Sequence, residues 1–298
     1  MKNSNANAGR CFYALILLVL LVAVSPVHSS ADKGILFKIE KQGYPVSYVF
    51  GTIHFSDPRV LALSEAVNQA LESSDAFVME IKFDKDVLLG AMTGMWLTDG
   101  RSLKDVIGAD LYQEVLEFGA KAGIPQASFA YMKPWVVMMM FSMPPGDYEN
   151  ILDIELMKKA LLQGKQVLGL ESFQEQFDVI DKMSDSDQIV LLKNTLKNYS
   201  QLTKQFRKLL DIYLDRDLER LQRLADEQTR ADSDEEQQVI DRLMARMLDE
   251  RNVRMLERIT KIIQKDSAFI AVGALHLPGQ SGLIDGLRQQ GFSITAIY

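Results

Sequence analysis

Gly51-Thr52-Ile53-His54 and Gly273-Ala274-Leu275-His276 each place an imidazole three residues after a glycine and directly behind an apolar, β-type run. The chain has only one other histidine, His28, near its N-terminus. Neutral imidazoles are ligands for Zn, Mn, Fe or Co, and two of them with one or two carboxylates make a first shell that leaves positions open for water or substrate. A single Gly-x-x-His is a weak signal, because a lone histidine behind a strand is usually a capping or core residue. The repetition makes the case.

Two acids share that placement. Ala76-Phe77-Val78-Met79-Glu80 and Val167-Leu168-Gly169-Leu170-Glu171 are apolar runs that end in a carboxylate. Ligands of open α/β sheets bind outside the carboxyl ends of the strands, so His54, Glu80, Glu171 and His276 converge if their strands are parallel neighbours. His54, His276 and Glu80 then form the metal set, with Glu80 or Glu171 as the carboxylate that moves a proton. The bland alternatives are an ion pair of Glu80 with Lys82 or Arg101, and a first-turn helix role for Glu171. Gly51 and Gly273 read as positions that let the chain leave the strand in conformations closed to other residues and let backbone approach a ligand closely.

No other catalytic set competes. The chain contains no His-Glu-x-x-His, no Gly-x-Ser-x-Gly and no Walker-type loop. The Trp135-Val136-Val137-Met138-Met139-Met140 stretch reads as helix core rather than a cofactor lining.

Elements that would position these residues follow from periodicity and turn signals. Residues 35–40 and 45–50 read as a hairpin turning at Gly43. Further strands are expected at 76–80, 166–170, 267–272 and 292–297. Helices are expected at 58–73, 111–122, 126–143 (ended by Pro144-Pro145-Gly146) and 151–163, with Gly164 at the C-cap. The strand-helix-strand rhythm predicts an α/β fold, a mixed sheet with parallel segments flanked by helices. Residues 186–265 show no strand pattern, only amphipathic, charge-rich helix with a break at 231–234, and read as a helical insertion before the last two strands.

Residues 1–31 read as a secretory signal, with Lys2 and Arg10 before an apolar run at 12–24 and a small-residue exit, which leaves 32–298 as a single domain. The run is shorter than the roughly 20 residues that span a bilayer, so a periplasmic protein without stable membrane insertion after cleavage is expected. Cys11, the only cysteine, precedes the apolar run, which argues against a lipoprotein and leaves the mature chain without disulfides or thiolate ligands. The net charge of −7, more negative once Lys2 and Arg10 are removed, argues against nucleic acid as a partner.

These motifs resemble the TraB/GumN family, which includes the Tiki-type metalloproteases. Beside the paired Gly-x-x-His, the second continuing as Leu277-Pro278-Gly279, the resemblance rests on several shorter matches in family order. They are Val78-Met79-Glu80, Lys133-Pro134-Trp135, Gly169-Leu170-Glu171-Ser172 with Glu175-Gln176, and Glu250-Arg251-Asn252. It implies a fold similar to erythromycin-esterase and ChaN-like proteins, and Mn- or Co-dependent hydrolysis of peptides in Tiki-type members. It also implies a site role for Arg251, whose guanidinium could stabilise an oxyanion; composition alone favours a surface ion pair with Asp249, Glu250 or Glu257. Near Asp153 the chain departs from the pattern, with Ile151 where the family tends to carry glycine, which puts a site role for Asp153 in doubt.

The leading expectation is a metal-dependent hydrolase (Mn, Co, Zn or Fe) of a peptide, amide or ester bond in a peptide or small-molecule substrate. Two other classes stay open: an iron- or haem-binding protein without turnover, and an interaction module built on the helical region.

Overall fold

A computed structural model describes residues 33–82, 90, 93–143 and 150–298. The leader at 1–31 and the Pro144-Pro145-Gly146 stop lie outside the described residues. Six strands form one sheet: β1 (Leu36–Glu40), β2 (Ser47–Thr52), β3 (Ala76–Ile81), β4 (Gln166–Glu171), β5 (Ala268–Gly273) and β6 (Ser293–Ala296). Their order across the sheet is β4-β3-β5-β2-β1-β6. β4, β3, β5 and β2 run parallel to one another, while β1 is antiparallel to both β2 and β6. The sheet is mixed, as the strand-helix rhythm predicts, and its four parallel strands are those that end in His54, Glu80, Glu171 and His276.

Composition explains the order. β3 and β5 are buried at every position, which is how strands covered by helices on both faces read in sequence. Phe77 and Phe269 sit opposite each other in register and stack with ring centroids 6.2 Å apart. Phe50 packs on Phe269 from the other side. Fully burying a phenylalanine contributes about 1.5–3 kcal/mol, so this aromatic layer anchors the middle of the sheet. The β1–β2 hairpin turns through Gly43 at φ 83°, the left-handed region that glycine enters without steric cost.

Among the described residues, thirteen α-helices connect or cover the strands. Before β3 come α1 (Pro58–Leu61) and α2 (Glu65–Ser73). Between β3 and β4 lie α3 (Leu103–Ile107), α4 (Ala109–Lys121), α5 (Pro134–Phe141) and α6 (Leu152–Leu162). Between β4 and β5 there are only helices: α7 (Phe173–Asp181), α8 (Asp185–Asn198), α9 (Leu202–Leu214), α10 (Leu218–Gln228), α11 (Asp234–Met244) and α12 (Glu250–Ile263). α13 (Leu283–Gln289) precedes β6. No described helix is long and apolar enough to cross a membrane.

Two helix expectations are corrected. The span 58–73 is two helices, because the Ser64 hydroxyl accepts from the Val67 N–H and starts α2 afresh. The span 126–143 is a 3-10 turn (Gln126–Phe129) followed by α5, since Pro134 takes the first helical position and has no N–H to continue an earlier helix. All of α5 is buried, so the Trp-Val-Val-Met stretch is core. The break at 231–234 is present, with Ser233 capping α11, but residues 199–201 and 215–217 interrupt the helical region as well.

Candidate metal and catalytic site at the parallel strand ends

At the carboxyl ends of β2 and β5 the two motifs lie side by side, since Thr52 and Gly273 are register partners. His54 lies just beyond β2 in a tight bend closed by the Phe55 N–H on the Ile53 carbonyl, and His276 sits in a 3-10 turn (Ala274–His276) directly after β5. Both imidazoles are buried. Gly51 is needed for close approach: a Cβ there would stand 2.9 Å from Leu277 Cδ1 and 3.0 Å from Ala274 Cα, in the turn that carries His276. The reading of unusual conformation is corrected, because neither Gly51 nor Gly273 has positive φ. A buried hydrogen bond from the Tyr213 hydroxyl to the Gly51 carbonyl, 2.9 Å, pins the same segment to α9.

Each imidazole is oriented through its Nδ1. His54 Nδ1 donates to Asp153 Oδ2 at 2.8 Å, and Thr52 Oγ1 donates to the other oxygen of Asp153 at 2.7 Å. His276 Nδ1 donates to Asn252 Oδ1 at 2.6 Å. The Asn252 amide is itself fixed, because its Nδ2 donates to the carbonyls of Ser281 and His276. In its neutral form each ring therefore carries the proton on Nδ1 and presents an Nε2 lone pair, the arrangement that outer partners impose on metal-binding histidines.

Neither Nε2 has a hydrogen-bond partner among the described residues, although both are buried. An acceptor in that position costs free energy unless something satisfies it. The Glu80 Oε1 lies 3.7 Å from His276 Nε2, the kind of spacing that two ligands about 2.0–2.2 Å from one ion would adopt. Among the described residues no three His, Cys, Asp or Glu side chains close into a metal cage as they stand. The donor types and the two free lone pairs nevertheless fit a divalent cation.

The carboxylates are gathered by one cation. Arg251, wholly buried, donates from Nη2 to Glu80 Oε2 at 2.5 Å and from Nε to Glu171 Oε2 at 2.8 Å. Arg254 Nη2 holds the remaining oxygen of Glu171 at 3.0 Å. Glu80 also accepts from the Gly273 N–H at 2.7 Å and from Gln176 at 3.1 Å. The bland readings are corrected. Arg101 pairs with Asp99 and Asp185, Glu257 pairs with Lys261, and the capping acid of α7 is Glu175. Arg251 faces inward where α12 follows a π-helical turn (Ala245–Asp249), a local over-wide turn often found at functional sites.

Electrostatics separates the groups. Burial pushes the Glu80 carboxyl up, but Arg251, His276, His54 and the Gly273 N–H outweigh it and hold it at about 2. Burial pushes His276 down to about 3, with Glu80 opposing and Arg251 adding to the fall. His54 also suffers burial, yet Asp153 overcomes it and leaves the ring above its ordinary value.

A sequence profile of the TraB/PrgY/gumN family matches residues 35–296. The chain belongs to this family. Within it, the chain is 23% identical to metalloprotease TIKI2 of Danio rerio over 90% of its own length and 62% of the relative's. It is 25% identical to metalloprotease TIKI1 of Danio rerio, covering 84% of this chain and 60% of that one. Human metalloprotease TIKI1 is 24% identical, with 84% and 59% covered. This TraB/PrgY/gumN chain thus spans about three fifths of the length of the curated relatives it matches. No solved structure matches it.

The doubt that Ile151 cast on Asp153 is corrected, since Asp153 bonds directly to His54 and Thr52, and sequence reasoning left Asn252 without a role. A signal for Asp153 exists: it is an acid in the first turn of α6 flanked by Ile151, Leu152 and Ile154, and an acid in so apolar a setting needs a buried partner.

Proposed function

We propose that the chain is an exported, periplasmic metal-dependent hydrolase of a peptide, amide or ester bond, with His54, His276 and Glu80 holding one divalent cation (Mn, Co, Zn or Fe). The single observation that carries this reading is the pair of buried Nε2 lone pairs, each aimed by an Nδ1–H hydrogen bond and neither partnered among the described residues. A bound divalent cation supplies an electrophile for a carbonyl oxygen and lowers the pKa of a water molecule. The names of the TIKI relatives support the metal and the peptide bond, and family resemblance supports the likeness to erythromycin-esterase and ChaN-like folds.

Chain residues divide the remaining work. Asp153 and Asn252 fix the tautomer and rotation of the two rings. Arg251 keeps Glu80 ionised and in place, so that Glu80 suits a ligand better than a proton acceptor at neutral pH. Glu171 has both oxygens engaged by arginines, which makes it the anchor of Arg251 rather than a free base.

Elemental analysis of protein prepared from the periplasm, beside His54→Ala and His276→Ala, tests the reading. One equivalent of metal in the parent and little in either variant is expected, with peptide cleavage restored to the stripped parent by Mn or Co. Unchanged metal content in both variants would overturn it, and a Soret band in the purified protein would favour haem binding instead.

A further inference from the structure

A cavity of ligand size lies within the helices, lined by none of the residues of the histidine site. It has a volume of about 150 Å³, is partly open, and is bordered by α5, α8, α9, α11 and the end of α10. Its walls are mostly apolar, Met138, Leu191, Phe206 and Leu243 among them, with uncharged polar side chains such as Asn194 and Gln205 between. Among the described residues that line it, none is Asp, Glu, Lys, Arg or His. That is a selective wall in a chain of which 24% is charged. An ionic group inside it would meet no countercharge, so an uncharged, largely apolar occupant fits it best. Methionine walls adapt to more than one apolar shape. An apolar cavity of roughly 150 Å³ takes a ligand of benzene size, which is the size of one aromatic or branched aliphatic side chain.

One helix, α9, touches both the cavity and the first histidine motif. Phe206 lines it and packs against Phe55, the residue after His54, with ring centroids 5.4 Å apart. Seven residues further along the same helix, Tyr213 bonds to the Gly51 carbonyl of the first motif. Helical rise puts Phe206 and Tyr213 about 10 Å apart along the axis. An extended peptide covers that distance in about three residues.

Building on the hydrolase reading above, we propose that this cavity is the specificity subsite of the histidine-centred site, taking one large uncharged side chain, aromatic or branched aliphatic, of a peptide substrate. Backbone near the scissile bond would lie at the strand ends, and a side chain a few residues away would fill the space between α5, α8, α9 and α11.

The test separates binding from turnover. Fluorescently labelled, blocked tetrapeptides carrying Phe, Leu, Ala or Asp at one position are titrated into the full metal-loaded chain. The same set is titrated into Leu243→Trp, which fills the cavity, and into Gln205→Glu, a near-isosteric change that puts a charge in its wall. Burial of a large apolar side chain predicts about tenfold to a hundredfold tighter binding of the Phe or Leu peptide than of the Ala peptide in the parent, with Asp weakest. Both variants, checked for folding by thermal melting, should lose most of that preference, and His54→Ala should keep it. Absence of apolar preference in the parent, or its survival in both folded variants, overturns the subsite. Preference as expected without cleavage of any bound peptide under Mn or Co supports the cavity as the apolar binding site and overturns the hydrolase reading alone.

Discussion

His54 Nδ1 and Asp153 Oδ2 lie 2.8 Å apart although 99 positions separate them in the chain. The contact joins the end of β2 to the first turn of α6, and with Thr52 on the second carboxylate oxygen it leaves His54 one tautomer and one rotation. His276 receives the corresponding support from a neutral amide, Asn252. One imidazole is thus backed by an anion and the other by a neutral amide.

Removing the anion should weaken metal binding without removing a ligand. Asp153→Ala is expected to lower the affinity for Mn or Co about tenfold to a hundredfold, the usual cost of losing an outer partner of a metal-bound histidine, while Asp153→Asn loses less. Isothermal titration of the stripped protein measures both. Equal affinity in parent and Asp153→Ala would show that the carboxylate does not aim the ring.

Arg251 holds two carboxylates inside the protein, so its loss should be felt in stability before activity. Arg251→Met leaves Glu80 and Glu171 as neighbouring buried anions with one fewer cation, for which about 3–5 kcal/mol of destabilisation is expected. Urea unfolding gives the number. A double variant that also carries Glu171→Gln should recover part of the loss, because one of the two stranded charges is then gone.

Metal-free protein should lose stability as the pH falls. Glu80 has a folded pKa near 2 against 4.5 ordinarily, so its contribution is complete above 4.5 and disappears between 4.5 and 2. His276 sits near 3 against 6.5, so the unfolded chain takes up its proton first and stability declines from 6.5 toward 3. His54, raised by Asp153 against burial, works in the opposite direction above its ordinary value. Denaturant unfolding at pH 7 and pH 4 should differ by about 2–4 kcal/mol, with His276→Gln flattening the part between pH 6.5 and pH 4.5.

Gly51→Ala tests the packing of one motif on the other. The added methyl would meet Leu277 and Ala274 at 2.9–3.1 Å, in a turn held between strands, so relief requires the His276 segment to move. A loss of about 1–3 kcal/mol is expected, together with weaker metal binding. Gly43→Ala in the hairpin, which has open space around it, is the comparison that strains backbone without touching the site.

Much of this protein was legible along the chain because its signals are local. Apolar runs leading to His54, Glu80, Glu171 and His276 marked the parallel strands, most clearly β3 and β5, which are buried on both faces and so continuously apolar. The β1–β2 hairpin was equally visible through Gly43. Only the tertiary structure decided which charges meet. Arg251 stands 80 residues from Glu171 and 171 from Glu80, and nearby acids in sequence would have served a surface arginine as well. Asp153 and Asn252 come from the starts of α6 and α12, and nothing within one turn of either identifies a histidine as its partner. Hydrophobic periodicity specifies which face of an element is buried. The partner of a buried polar group depends on how the elements cross, and that is set by packing across the whole sheet.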